Sequence, residues 1–302
     1  MAQRSEIGPA PVRPLPAGWG EKVRWNRRVQ SVVGQGIAHL LMIAFSLVFL
    51  IPLLWMVSTA FKTRAQTWLF PPEWIPNPVA WENFPRVFEV VPFLAYVQNT
   101  LIIVGWNIVG AVFSTALVAF GFARLRFPGR DFLFILLIAT LMIPYQVTLI
   151  PTFILYSLLG WINTYLPLTV PAFTGSAFFI FLMRQYMMSL PFELDDAARI
   201  DGCNTFQVLF YILLPLCVPP LAIVVVFTFI GVWSDFLGPL LYLNENSKYT
   251  LALGLNVLRG RHGTDYNLLM AASLMAVIPT LVLYFLAQNK LIGGIASVGL
   301  KG

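Results

Sequence analysis

The chain has 302 residues, of which 58% are hydrophobic and only 11% charged, less than half of the roughly 25% charge of an ordinary soluble domain. That composition excludes a typical soluble globule and points to an integral membrane protein, in which runs of about 20 apolar residues cross the bilayer. The formal charge of +6 does not imply nucleic acid, because the 19 Lys and Arg are scattered over segments between apolar runs and form no aromatic-interleaved stripe.

Met1 to Gly34 is rich in Pro, Gly and Arg and reads as a flexible N-terminal extension, followed by one membrane domain over 35–302. The first apolar run is too long for the core of a signal peptide and reads as an uncleaved anchor. Six spans can be drawn: Ile37 to Ala60, Asn99 to Gly121, Phe132 to Ile150, Leu166 to Met183, Leu216 to Leu243, and Asn267 to Gln288. Each is expected to be helical, because in lipid a backbone polar group finds its partner within its own segment. The fold class is therefore all-α and polytopic. Pro52, Pro144, Pro171, Pro239 and Pro279 lie in or near these runs and predict kinks.

Thirteen of the Lys and Arg fall on one set of segments (Arg4, Arg13, Lys22, Arg24, Arg27, Arg28, Arg124, Arg126, Arg130, Arg184, Arg199, Lys290 and Lys301). Six fall on the other: Lys62, Arg64, Arg86, Lys248, Arg259 and Arg261. Positive charge prefers the inner side, so both termini are expected in the cytoplasm. The loop from Phe61 to Gln98 is then outside, with Trp68, Trp74 and Trp81 either at headgroup level or forming a docking surface. The segment from Arg184 to Pro215 is inside.

That inner segment carries explicit punctuation for a short helix. Ser189 suits an N-cap, Pro191 a first turn, and Glu193, Asp195 and Asp196 the positive end of the helix dipole. Gly202 suits the left-handed position that stops a helix. Asn204 and Gln207 stand in capping-box spacing, so a second helix begins in TFQVLFYILLP and ends near Pro215. Asp195 and Arg199 fall four residues apart and form an expected pair, while Ala197 and Ala198 leave room for another protein's backbone. A solvated helix lying on the membrane surface fits these same features.

Polar groups are expensive at membrane depth and mark candidate pathways. Asn107, beside Trp106, falls in the second span; Tyr145 and Gln146 follow Pro144 in the third; Trp233 and Asp235 fall in the fifth. Aromatic faces and neutral amides suit a sugar, whose C–H faces stack and whose hydroxyls need hydrogen bonds. Interhelical hydrogen bonding is an equal account of Asn107 and Gln146. For Asp235, a structural acid or one near the outer mouth competes with ligand contact.

Asp196, Ala197 and Ala198, three residues, Gly202, nine residues, Ile212, one residue, then Leu214 and Pro215 resemble the EAA-x3-G-x9-I-x-LP signature of ABC importer membrane subunits. Asp stands where that signature has Glu. PFELDDAARIDG, WSDFLGPLLYL and GGIASVGLKG resemble the carbohydrate uptake branch, specifically the second membrane subunit of maltose-type systems, from about Gln35 onward. The resemblance implies a permease subunit of an ATP-driven importer that moves a sugar or sugar-like solute by alternating access across a bacterial or archaeal cytoplasmic membrane. Asp196, Ala197, Ala198 and Gly202 would form the helix that docks on the ATPase, over a coupling loop of about 189–215. Ile212, Leu214 and Pro215 would fix its return to the membrane.

The implied partners are a second homologous permease, an ATP-binding cassette ATPase dimer reached also by the C-terminal tail, an extracytoplasmic binding protein meeting the loop from Asn244 to Tyr266, for which a plain solvated loop is the equal alternative, and membrane lipid. No nucleic acid is expected. The chain has no G-x-x-x-x-G-K-[ST] loop and is not expected to be an enzyme: it would bind no cofactor or metal, and ATP and Mg would be used by the partner. His39 and His262 read as an interfacial and a loop histidine, and Cys203 and Cys217 as reduced packing residues. Two other readings stay open, an ion-coupled secondary transporter and a non-transporting membrane scaffold.

Overall fold

A computed structural model describes the backbone of residues 19–259 and 265–299, and the side chains of 32–259 and 265–288. Residues 1–18 of the extension, Arg261 and His262 of the outer loop, and the terminal Leu300, Lys301 and Gly302 lie outside that description. The described residues are helical, with no strand among them.

The chain divides after Trp55. The described residues of its first unit belong to one helix, α1 (Trp19–Ala60), which carries the first expected span together with residues assigned by composition to the flexible extension. Between Trp19 and Gly34 there is no proline, and Lys, Arg and Gln lose little side-chain freedom in a helix. Within this unit His39 is exposed and its Nδ1 donates to the Gln35 carbonyl at 2.7 Å.

The second unit begins with the last turn of α1 and a loop, then α2 (Asn83–Val90) and α3 (Phe93–Arg124), an unbroken helix of 32 residues. It continues through α4 (Arg130–Ala139), α5 (Tyr145–Leu158), α6 (Leu166–Thr169), a 3-10 turn over Val170–Thr174, and α7 (Ala177–Ser189). Next come α8 (Glu193–Ile200), α9 (Thr205–Gln207), a π-helical segment Val208–Leu213, and α10 (Leu214–Leu216). The chain finishes with α11 (Val218–Trp233), α12 (Leu237–Tyr242), α13 (Leu251–Leu255) and α14 (Tyr266–Gly299).

Four segments, Val32–Ala60, Phe93–Arg124, Leu166–Ser189 and Tyr266–Gln288, are long and apolar enough to cross a bilayer. The third expected span is instead a bent pair, and α11 of the fifth forms a second bent pair with Thr205–Leu216, the segment expected as an inner-side helix ahead of that span. Arg130–Met142 meets Tyr145–Leu158 at 96°, and Thr205–Leu216 meets Val218–Trp233 at 80°; counting each pair once gives six. The cause is local. Pro144 has no N–H to continue the helix and drives Ile143 to an extended conformation, φ −81° and ψ 113°. At the second break, Pro219 and Pro220 follow Cys217 and start a new helix in whose first turn their missing N–H groups are tolerated. The fifth span also stops earlier than Leu243, since α11 ends at Trp233.

The long α3 packs against α7, α11, α13 and the 3-10 turn. Small residues permit this: a Cβ on Gly110 would collide with Phe173, and the Ser114 hydroxyl donates to the Ala172 carbonyl at 3.1 Å. Two cores result. One joins Tyr96, Val104, Trp233, Leu251 and Leu268 with their neighbours. The other joins Ala119, Phe120 and Ala123 at the far end of α3 to Ile180, Met183 and Met187 of α7 and to Ala198, Val208, Leu209, Leu213 and Cys217. Cys217 is thus a buried packing residue and Cys203 packs beside it, both as free thiols.

In the first core Gly254 lies against the ring of fully buried Tyr96, where a Cβ would fall inside the ring's van der Waals surface. Gly254→Ala is expected to destabilise the protein by about 1–3 kcal/mol through overpacking, with a lowered detergent melting temperature. Ala252→Gly, on the same helix, tests whether the loss reflects the collision rather than disturbance of α13.

Candidate functional site

The short polar helix anticipated between the fourth and fifth spans is α8. Its first turn holds Glu193, Asp195 and Asp196 and its last turn Arg199, the charge order that complements the helix dipole. Its stop is a Schellman arrangement: the Cys203 N–H donates to the Ala198 carbonyl at 2.9 Å, and the Gly202 N–H to the Arg199 carbonyl at 3.0 Å. Gly202 has φ +88°, a conformation only glycine adopts without strain. Asn204 and Gln207 form the expected capping box, each side chain accepting the other's backbone N–H at 2.9 and 2.7 Å.

The start of the helix differs from expectation. Ser189 is the last residue of α7, its hydroxyl donating to the Tyr186 carbonyl at 2.7 Å, and α8 begins two residues beyond Pro191. Asp195 and Arg199 do not pair either. Arg199 lies 3.8 Å from Asp196, on the exposed side, whereas Asp195 turns inward to Arg124 at 3.2 Å, with both side chains almost fully buried. Four residues along a helix bring two side chains to one face, but here that face is the buried one for Asp195 and the buried cation comes from α3. Burial pushes the Asp195 carboxyl above its ordinary range, against the pull of Arg124 and Arg199.

The two motif alanines also part company. Ala197 is exposed, and Ala198 is buried in the second core, so only the first is open to a partner. The outward face of α8 and its surroundings presents Asp196, Ala197, Ile200 (87% exposed), Phe206 and Tyr211. Ile212 and Leu214 pack onto the second core, and Pro215 sits at the start of α10, just before the 80° bend into α11.

The second group of candidates lies elsewhere. A cavity of about 400 Å³, within the range of small-ligand sites, is lined by Asn107, Tyr145, Thr152, Tyr156, Asp235 and Tyr242 among others. It therefore unites three of the five expected path residues, Asn107, Tyr145 and Asp235. Asn107 is also the interhelical tie considered above, its amide donating to the Ile103 carbonyl at 2.8 Å and to the Leu168 carbonyl at 2.7 Å. Asp235 has a structural part as well, its Oδ1 accepting the Gly238 N–H at 3.1 Å at the start of α12.

Gln146 and Trp233 are not brought to this cavity. Gln146 is exposed, because the helix restarting at Tyr145 points neighbouring residues about 100° apart. Trp233 is buried: its indole donates to the Ala276 carbonyl at 2.9 Å, stacks on Phe229 at 5.2 Å, and lines a separate cavity with Arg259 and Thr280. Tyr156 and Tyr242 join the cavity without having stood out in the sequence. For Tyr156 a signal exists, since Tyr145, Thr152 and Tyr156 fall at helical spacing on one face of α5. Tyr242 has none; it reaches the site by packing against Phe153 and Tyr156.

Residues 116–289 match the family described as binding-protein-dependent transport system inner membrane component. The chain is 34% identical to the arabinooligosaccharides transport system permease protein AraQ of Halalkalibacterium halodurans, over 86% of this chain and 93% of that one. It is 32% identical to the sn-glycerol-3-phosphate transport system permease protein UgpE of Yersinia pestis, over 89% and 97% of the two chains. In fold it is similar to a chain of a bacterial ABC transporter involved in the import of the acidic polysaccharide alginate, with a TM-score of 0.75 at 23% identity, covering 87% of this chain and 97% of that chain.

Proposed function

The chain belongs to the binding-protein-dependent transport system inner membrane components, a multi-pass permease subunit of an ABC importer, and from that membership we propose that it carries a sugar and takes its drive from an ATPase docked on α8. As a transport subunit it is not an enzyme, and its family membership replaces the secondary-carrier and scaffold readings. The observation that carries the coupling assignment is the exposed face of α8, where Asp196, Ala197 and Ile200 stand free of the core above a glycine stop at Gly202. Ala198, Ile212, Leu214 and Pro215 serve that face from below, by seating the helix and directing the chain back toward α11.

The partners in this proposal are an ATP-binding cassette dimer that uses ATP and Mg, a second permease subunit, an extracytoplasmic binding protein and lipid, with both termini on the cytoplasmic side. Closure of the ATPase pair stabilises one orientation of α8 over the other, and that difference in binding is the free energy the ATPase contributes to tilting the spans. The sugar assignment rests on the oligosaccharide relative and on a cavity whose tyrosine rings and acceptor oxygens match hydroxyls and C–H faces. The full complex in liposomes, loaded with candidate binding protein, should hydrolyse ATP faster with an arabino-oligosaccharide than without. Stimulation only by a non-sugar solute would reject the cargo and leave the coupling intact.

Asp235 offers a finer test of the cavity. Asn caps a helix start as well as Asp, so Asp235→Asn is expected to retain uptake within a few-fold. Asp235→Leu removes both the acceptor for the Gly238 N–H and the polar group in the cavity, and uptake is expected to fall several-fold below that of Asp235→Asn. A larger loss in Asp235→Asn than in Asp235→Leu would mean that the cap is not what the carboxylate supplies.

A further inference from the structure

Arg124 is the last residue of α3, the helix that carries Asn107 into the cavity about 25 Å away at 1.5 Å per residue. Its guanidinium is almost wholly buried and faces three residues at the start of the coupling segment. It lies 3.2 Å from Asp195, donates through Nη2 to the Leu190 carbonyl at 3.1 Å, and sits 4.3 Å from the centre of the Phe192 ring. One rigid planar cation thus grips the chain before α8, its first flanking residue, and its first turn. The apolar second core also links α8 and α3, holding Ala198 and Leu209 together with Ala119 and Ala123, and apolar contact has no preferred direction.

We propose that Arg124 is a positioning residue for transport: it fixes α8 to the end of α3, so that displacement of the docking helix moves α3 and with it the cavity wall. This rests on the assignment of α8 as the ATPase-docking helix. Apolar packing permits α8 to slide over α3, whereas the contacts to Asp195, Leu190 and Phe192 hold it in one orientation. Arg130, nearby in sequence, plays no such part, since it pairs with the exposed Asp131. The inward turn of Asp195 follows from this arrangement, and the outer face of α8 is left to Asp196.

The test uses the complete transporter in liposomes with three readouts: ATPase co-purification, ATP hydrolysis, and solute moved per ATP. Arg124→Gln leaves Asp195 unpaired, so the double variant Arg124→Met with Asp195→Leu, which buries no orphan charge, guards against a folding failure. Both are expected to keep the ATPase bound and hydrolysing while solute moved per ATP falls at least tenfold. The exchange Arg124→Asp with Asp195→Arg should recover part of that ratio. Wild-type transport per ATP in the double variant would overturn the proposal, as would loss of the ATPase from a folded double variant, which would make the pair an assembly contact. Failure of the double variant to fold would overturn it as well, since the pair would then serve stability alone. If ATPase association also persisted in variants of the exposed face of α8, it would be the docking assignment that fell, a result separable from these.

Discussion

Ala198→Glu is expected to abolish assembly of the permease, while Ala197→Glu, one residue away in the same motif, leaves it folded and strips off the ATPase. The difference follows from burial. Ala198 is 5% exposed among Met187, Val208, Leu209 and Leu213, and Arg124, the buried cation at the end of α3, is already paired with Asp195. A carboxyl forced into such a place shifts its pKa by as much as 3 to 5 units, which at 1.36 kcal/mol per unit is roughly 4 to 7 kcal/mol, before any overpacking. That is a large part of the stability of a membrane domain. Ala197 faces out, so a larger side chain there strains nothing within the chain and obstructs only what approaches. The measurements are the monodisperse yield of the permease and the amount of ATPase that co-purifies with it. Equal loss of yield in both variants would contradict the placement of α8, and retention of the ATPase by folded Ala197→Glu would contradict docking on its outer face.

Gly202→Val is the second substitution with a large effect. No atom stands within 4 Å of a Cβ built there, so space is not the constraint; the backbone is, at φ +88°. A β-branched residue at positive φ is strained by about 1–3 kcal/mol. Relief of that strain unwinds the Schellman stop and reorients the chain between α8 and the capping box at Asn204. If the docked orientation is disfavoured by roughly 1.4 to 2.8 kcal/mol, uptake falls roughly 10- to 100-fold. The permease should remain folded, because the second core does not include Gly202. Gly202→Asn, which tolerates a left-handed conformation, should lie between wild type and Val. Unchanged uptake in Gly202→Val would show that the stop of α8 is not needed for coupling.

Both expectations, and the proposed role of Arg124, concern one small helix whose location and C-terminal stop are legible in the sequence. The acidic first turn, the glycine and the Asn204 and Gln207 pair are local signals, each acting within a few residues, and each recurs in the structure. The cavity is legible only in part. Asn107, Tyr145 and Asp235 stand out as polar groups in apolar runs and do meet, but Gln146 and Trp233 stand out for the same reason and do not. Polarity at membrane depth says that a side chain needs a partner. It does not say whether the partner is a ligand, water or the Ala276 carbonyl.

The sequence by itself determined an all-helical membrane chain, the approximate spans, a bend at Pro144 but not the one at Pro219 and Pro220, and the short helix that marks the family. These are consequences of composition, periodicity and capping, which act over neighbouring residues. Only the tertiary structure decided which face of each helix is buried: Asp195 inward to Arg124 rather than outward to Arg199, Ala198 in the core and Ala197 at the surface, Trp233 against α14 rather than in the cavity. Which face is buried depends on how each helix is rotated against its neighbours, and a step of one residue, about 100°, is enough to exchange an inner side chain for an outer one.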